Sequence, residues 1–289
     1  MLYKTLCPAK INLFLHILGK RADGYHMLES LVTFADCGDE LSFELADELT
    51  LEIIGPYANE LNGFDTNDNL IIKAARLFEQ HFNMRVAGKF SLVKNLPVAS
   101  GIGGGSSNAA MTIKLLMQAY DKTDDVDDVL LALGADVPVC FNGKNVIMSG
   151  IGEQLDQWPE LPNLHAVLVN PNEAVSTAKI FGKLNASADI APYDFAGQMA
   201  PIFSDVFELV KFLKNQRNDM QSAAVEICPE IANVLNALNE CDNVLFAQMS
   251  GSGATCFAIF NTAEQAETAT KLLAVTHPNW WIKSTLFSG

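Results

Sequence analysis

The chain has 289 residues, of which 49% are hydrophobic and 18% are charged, and its formal net charge is −15. This composition excludes a disordered protein, and the length suffices for one large domain or two of ordinary size. The negative charge argues against a nucleic-acid partner, which needs a basic face, but not against a small anion held by backbone amides.

The cellular setting follows from features that the sequence lacks. The six cysteines show no C-x-x-C pair and no spacing typical of a zinc site. No apolar stretch is long enough to cross a membrane, and Lys10 and Asn12 interrupt the first apolar run too early for a signal peptide. We therefore expect a cytoplasmic protein with free thiols and no membrane partner.

The first predicted element is a strand within residues 7–18. Apolar residues alternate there with a second set made of Lys10, Asn12, Phe14 and His16. One interpretation places this second set on a solvated outer face. The other notes that Lys10 and Asn12 lie about 7 Å apart on one face, so both side chains can reach a shared ligand.

A turn follows at residues 19–27, where Asp23-Gly24 is a strong turn signal. Tyr25 and His26 then present two flat rings beside the loop. They are either ordinary surface residues or a platform on which a nucleobase stacks.

The remaining elements interleave strands and helices, which predicts a mixed α+β protein. Strands are predicted at residues 41–46, 50–54, 88–93, 145–148, 165–169, 244–248, 255–260 and 281–287. Helices are predicted at residues 69–82, 109–120, 124–134, 176–181, 204–215, 229–241 and 263–275. Residues 62–69 and 186–198 are predicted loops, and residues 150–163, which contain two prolines, are the candidate domain junction.

The most informative stretch is a glycine-rich loop at residues 97–108, which leads directly into a predicted helix. Ser106, Ser107 or Asn108 can cap that helix. A glycine-rich turn before a helix offers free amides and a favourable dipole to a phosphate, although a flexible loop before an ordinary helix is the plainer alternative. It is not a Walker A loop, because no lysine follows the last glycine, and it matches the dinucleotide fingerprint poorly.

Two further features have two interpretations each. Asp136 follows a helix stop, where it either satisfies nearby N–H groups or is a partly desolvated carboxylate kept ionised by a neighbouring lysine. Residues 250–253, Ser-Gly-Ser-Gly, form either a second anion-binding turn or a simple hairpin connection.

Three stretches taken together, residues 8–13, 96–107 and 250–254, resemble the GHMP kinase superfamily of galactose, homoserine, mevalonate and phosphomevalonate kinases. The resemblance implies a GHMP kinase fold with a ribosomal-S5-domain-2-like ATP-binding domain (residues 1–155), a smaller α/β sandwich domain (residues 156–289) and an active site in the cleft between them. It also implies ATP and Mg²⁺ as cofactors, phosphoryl transfer to an alcohol, and a monomer or weak homodimer. Residues 21–26, 68–71 and 134–139 are similar to a member that acts on a CDP-linked polyol.

Roles are carried over by position from this resemblance. Asp136 is implied as the catalytic base and Lys10 as its charged neighbour. The residues implied in ATP binding are Asn69, Lys94, Pro97, Gly101, Gly103, Gly104, Gly105, Ser106 and Ser107. The residues implied in substrate binding are Asn12, Tyr25, His26, Thr177 and Phe181. No protein ligand of Mg²⁺ is assigned, and we expect the ion to be held mainly by phosphates and water.

One departure from the family pattern concerns Ala99 and Ser100, which stand where relatives often have glycine. Their Cβ atoms disfavour positive φ, which predicts a less strained or wider first part of the glycine-rich loop. Two alternative functions stay open: a GHMP kinase for another small alcohol, and a nucleotide-binding regulatory module without catalysis.

Overall fold

The computed structural model describes residues 1–61, 65–184 and 200–288. The predicted loop at residues 186–198, and part of the one at residues 62–69, therefore lie outside the described residues. Among the helices that are described, none has the length and hydropathy of a membrane span. All six cysteines are free thiols, as predicted.

Strands and helices alternate along the chain, which confirms the mixed α+β prediction. The strands are β1 (Leu2–Asn12), β2 (His16–Lys20), β3 (His26–Leu45), β4 (Thr50–Ile54), β5 (Gly88–Val93), β6 (Val146–Gly150), β7 (Gln154–Gln157), β8 (Leu164–Asn170), β9 (Phe246–Met249), β10 (Cys256–Phe260) and β11 (Trp281–Ser288). The helices are α1 (Leu70–Phe82), α2 (Gly104–Ala119), α3 (Asp127–Leu133), α4 (Val137–Asn142), α5 (Thr177–Lys183), α6 (Val206–Leu213), α7 (Gln221–Ile227), α8 (Glu230–Asn239) and α9 (Ala263–Thr276). Short 3-10 helices occupy Ala58–Leu61 and Thr66–Asp68.

The described chain divides into two compact units, and each unit is discontinuous in sequence. The first unit contains Met1–Ala9, Cys37–Val98 and Gly103–Asn142. The second unit contains Lys10–Asp36, Ala99–Ile102 and Gly143–Gly289. The division at residue 155 that the family resemblance implies is a different partition and stays a prediction.

The first unit is built around β5, which pairs antiparallel with the second half of β3 and parallel with β4. The rings of Phe43 and Phe90 meet in its core with their centroids 4.6 Å apart. Helix α1 begins where the sequence predicts, because Asn69 Oδ1 accepts the N–H of Ile71 as a helix cap. Helix α2, which follows the glycine-rich loop, packs on α1.

The second unit is built around β8, which pairs antiparallel with β10 and β11. β11 continues the sheet to the first half of β3, which also pairs with β2 and β6. Helices α8 and α9 contact these strands. The sequence missed α7, whose seven residues are mostly small or polar and carry no clear apolar stripe.

The predicted strand at residues 7–18 is two strands with a break between Asn12 and His16. The interpretation of its second residue set as a solvated face is wrong, because Lys10, Asn12, Phe14 and His16 are at most 4% exposed. Both faces are buried. Polar groups on a doubly covered strand need specific partners, which makes Lys10 and Asn12 candidates for a functional role.

Candidate active site

The glycine-rich loop ends at Gly103, whose φ of +64° immediately precedes α2. The prediction that Ser106, Ser107 or Asn108 caps this helix is wrong, because α2 begins at Gly104, a full turn earlier than expected. Residues 104–107 therefore form the first helical turn. The N–H groups of Gly104, Gly105 and Ser106 have no acceptor within the helix, whereas Ser107 N–H donates to Gly103 O at 2.8 Å. Gly103 has no side chain that could cap the helix, so these three amides suit an anion.

A buried ion pair lies against this first turn. Lys94 Nζ stands 2.6 Å from Asp39 Oδ2, and both side chains are at most 5% exposed. The other oxygen, Asp39 Oδ1, accepts the N–H groups of Asn95 and Leu96 at 2.8 Å each. A Cβ placed on Gly104 would lie 3.4 Å from Lys94 Nζ. Sequence reasoning named Lys94 but missed Asp39, since the pair joins residues 55 positions apart in the chain.

The expectation that Ala99, at the start of the glycine-rich loop, avoids positive φ is wrong. Ala99 has φ of +50°, so the loop keeps a left-handed residue without a glycine. Such a conformation costs a residue with a Cβ about 1 to 2 kcal/mol. The Ala99 side chain is exposed, so the cost is confined to its backbone, while Ser100 beside it is buried.

Gly101 meets the turn at residues 250–253, which we call the second glycine turn. A Cβ on Gly101 would lie 2.5 Å from the carbonyl oxygen of Gly253 and 2.8 Å from that of Ser250. Thr255 N–H also donates to Ser100 O at 3.1 Å. The turn joins β9 to β10, which confirms the hairpin interpretation, and an anion-binding role for it stays a prediction.

The second glycine turn also touches predicted substrate residues of the same unit. Asn12 N–H donates to Ser250 Oγ at 3.0 Å, and Thr177 Oγ1 lies 2.8 Å from Ser252 Oγ. The side-chain amide of Asn12 donates to Ser30 Oγ at 2.7 Å. Asn12 Oδ1 is buried and has no hydrogen-bond partner among the described residues, so it is available to a ligand.

Two of the predicted substrate rings stack on each other in the second unit. The rings of His26 and Phe181 have centroids 4.8 Å apart and planes inclined by 19°. Burial, with a smaller contribution from nearby Lys20, lowers the pKa of His26, so its imidazole is neutral at pH 7. Its Nε2 is buried and meets no partner in the described part of the chain. Tyr25 beside it is 60% exposed.

Known protein families and individual proteins are similar to this chain over most of its length. A family model described as GHMP kinases N terminal domain matches residues 69–152, and one described as GHMP kinases C terminal matches residues 206–274. The 4-diphosphocytidyl-2-C-methyl-D-erythritol kinase of Roseobacter denitrificans is 44% identical over 98% of this chain and 92% of its own length. The chain belongs to the GHMP kinase family.

A second relative and two solved structures are also similar to this GHMP kinase. The enzyme of the same name from Ruegeria pomeroyi is 44% identical over 97% of this chain and 98% of its own. The crystal structure of a 4-(cytidine 5'-diphospho)-2C-methyl-D-erythritol kinase aligns with a TM-score of 0.77 at 28% identity, covering 99% of this chain and 100% of the other. An L. major mevalonate kinase, at 16% identity and a TM-score of 0.68 over 99% and 96%, shares the fold.

In this GHMP kinase, the two predicted catalytic residues belong to different units. Asp136 lies in the first unit, directly before α4, and its side chain is partly exposed. Lys10 lies in the second unit, where its N–H donates to Ile102 O at 2.9 Å. The apolar run after Asp136 is the short helix α4, which fixes the backbone through a bond from Cys140 N–H to Asp136 O.

A cavity of about 350 Å³ lies beside the start of α1 in the first unit. Its lining residues are Asn67, Leu70, Ile72, Lys73, Arg76, Leu77, Ala132 and Leu133. Leu70 connects it to the glycine-rich loop, because a Cβ on Gly105 would lie 3.3 Å from Leu70 Cδ1. Asn69, predicted near the nucleotide, does not line this cavity, and its Oδ1 is engaged as the cap of α1.

Proposed function

We propose that this chain is a small-molecule kinase that transfers the γ-phosphate of ATP to the 2-hydroxyl of 4-diphosphocytidyl-2-C-methyl-D-erythritol, a step of non-mevalonate isoprenoid synthesis. The observation that carries the proposal is the 41–44% identity, over nearly the whole chain, to relatives that bear this enzyme's name. A kinase for another small alcohol is less well supported, since likeness to homoserine and mevalonate kinases stays at or below 17% identity and concerns the fold.

The first helical turn of α2 is the proposed triphosphate site. Gly103, Gly104, Gly105 and Ser106 supply its amides, Ser107 offers its buried Oγ, and Pro97 with Gly101 shapes the approach of the loop. Asn69 and Lys94 are proposed near the adenine by family position. This arrangement needs no Walker lysine, because the start of a helix already favours an anion.

Mg²⁺ is proposed to arrive with ATP. Among the described residues no cluster of three or more His, Cys, Asp or Glu side chains could hold a metal ion. Two buried oxygens at the start of α2, Ser107 Oγ and Asn108 Oδ1, have no hydrogen-bond partner in the described structure. Neutral oxygens of this kind fit the water shell of Mg²⁺, and the bound ion would neutralise phosphate charge.

Asp136 and Lys10 are proposed to serve the acceptor alcohol. As the hydroxyl oxygen bonds to the γ-phosphorus, its proton passes to the Asp136 carboxylate and ADP leaves. The Lys10 ammonium offsets negative charge on the phosphoryl group. The acceptor carbon carries a methyl group and is hindered, so alignment by Asn12 and Thr177 contributes more than the basicity of the carboxylate.

His26 is proposed to read the cytosine base, with Phe181 holding its ring and Tyr25 covering the base. A neutral imidazole has one donor and one acceptor nitrogen, which can distinguish cytosine from uracil at the amino edge. The lowered pKa of His26 and its buried, unpartnered Nε2 support this role. We also propose a cytoplasmic location and a monomeric or weakly dimeric state.

An ADP-release assay tests the function. Wild-type enzyme with ATP and Mg²⁺ should turn over the CDP-linked substrate much faster than homoserine, mevalonate or galactose, and equal rates would favour the alternative alcohol kinase. Asp136→Asn should lower kcat by at least 100-fold and leave ATP affinity nearly unchanged, and Lys10→Met should act similarly. Wild-type turnover by Asp136→Asn would refute the proposed base.

A further inference from the structure

Asn218 is a buried amide in the second unit that sequence reasoning did not single out. It is 7% exposed and precedes α7. Its Nδ2 donates both hydrogens to the second glycine turn region, to Met249 O and Gly251 O at 2.8 Å each. Its Oδ1 accepts Met220 N–H at 3.0 Å. Every hydrogen of this amide is therefore committed to a backbone carbonyl.

The residues on either side of Asn218 are bonded to Leu15, which lies in the short connection between β1 and β2. Leu15 N–H donates to Arg217 O at 3.0 Å, and Asp219 N–H donates to Leu15 O at 2.9 Å. With its amide oriented to satisfy both neighbours, Gln248 completes the network by donating to Leu13 O at 2.8 Å and accepting Asn218 N–H at 3.1 Å. Three chain segments, at residues 13–15, 217–220 and 248–251, thus share one hydrogen-bond network.

This network fixes the second glycine turn against proposed site residues. Gly251, which Asn218 holds, is packed so closely that a Cβ on it would lie 2.7 Å from Gly101 O and 3.1 Å from Asn12 Oδ1. Ser250, its neighbour, bonds the Asn12 N–H and Gly101 O, and Ser252 meets Thr177. A displaced turn must therefore displace Asn12, Gly101 and Thr177 together.

We infer that Asn218 is a positioning residue for the kinase reaction, which sets the second glycine turn so that substrate and nucleotide residues keep their alignment. Phosphoryl transfer depends mostly on alignment, and a displacement of about 1 Å can cost about 100-fold in rate. The inference rests on the proposed function for its kinetic readout. Its second readout, hydrogen exchange, is independent of that function.

The test uses Asn218→Asp, which keeps size and the acceptor oxygen but loses both donors, and the milder Asn218→Ser. Thr285→Val is the matched control, because it removes a partly buried hydrogen bond to Asp36 in the same unit, away from the turn. For each protein we would measure the thermal midpoint, kcat, the Kd of a non-hydrolysable ATP analogue, and exchange of the Asn12 amide hydrogen.

Both Asn218 variants should lower kcat at least tenfold, change the Kd for the analogue less than threefold and speed exchange at Asn12. Thr285→Val should lower the thermal midpoint comparably, with kcat within twofold of wild type. The inference is overturned if folded Asn218 variants keep kcat within twofold or leave Asn12 exchange unchanged, or if they fail to fold while the control folds. A wild type inactive on the CDP-linked substrate defeats the proposed function alone, and the exchange result still decides the role of Asn218.

Discussion

Gly101→Ala tests how closely the glycine-rich loop must approach the second glycine turn. The added Cβ would meet Gly253 O at 2.5 Å, Gly253 N at 2.6 Å and Ser250 O at 2.8 Å. These are backbone atoms that cannot rotate away, so overpacking should cost about 1 to 3 kcal/mol. The φ of +75° at Gly101 adds about 1 to 2 kcal/mol for a residue with a Cβ. We expect a total destabilisation of about 2 to 5 kcal/mol.

Gly104→Ala is the matched control, because its Cβ would make only ordinary contacts of 3.4 Å to Lys94 Nζ and 3.7 Å to Leu96 Cδ1. Its helical position should leave stability within about 1 kcal/mol of wild type. Urea unfolding followed by circular dichroism measures both variants, and Gly101→Ala should unfold at the lower urea concentration. If the two variants unfold at the same urea concentration, the close approach at Gly101 does not constrain the loop.

Three further predictions concern other parts of the molecule. Asp39→Asn leaves the buried Lys94 ammonium without its counter-ion and should lower the free energy of unfolding by about 3 to 5 kcal/mol. Adding Lys94→Met to Asp39→Asn should recover most of that loss. A double variant as unstable as Asp39→Asn alone would contradict the pairing. Burial and nearby Arg217 lower the pKa of His16 from 6.5 to about 4. As the pH falls, the unfolded state therefore binds a proton before the folded state does. The free energy of unfolding should fall by about 2 kcal/mol between pH 6.5 and pH 4. His16→Phe should flatten that part of the stability curve, and an unchanged slope would assign it to other groups. Phe181→Leu removes the ring that stacks on His26 and should raise the KM for the CDP-linked substrate by about three- to tenfold without changing the KM for ATP; a matching rise for ATP would place the ring in the other pocket.

Many of the features that the sequence predicted correctly depend on interactions between residues close together in the chain. The cap at Asn69, the helix stop at Gly134 and the cap at Ser176 depend on residues a few positions apart, so they can be predicted from the sequence alone. Strand β5 lies at the predicted residues for the same reason. Where residues of a strand are buried on both faces, the alternation of apolar and polar residues fails, and for β3 the sequence predicted only the last quarter.

The glycine-rich loop shows most clearly what can and cannot be predicted from the sequence. Its glycines and its order relative to residues 8–13 and 250–254 are properties of the sequence, and they were enough to place the chain among the GHMP kinases. The sequence could not give the start of α2 at Gly104 or the left-handed Ala99, since both depend on what the loop packs against.

The sequence by itself thus determined which chemical groups are present and in what order: the glycines, Lys10, Asp136 and the ring pair His26 and Phe181. Only the tertiary structure decided that Asp39 pairs with Lys94, and that Asn218 holds the second glycine turn. The reason is physical. Hydrogen bonds and ion pairs form wherever folding brings donors and acceptors within about 3 Å, and that proximity is set by packing across distant segments, not by spacing along the chain.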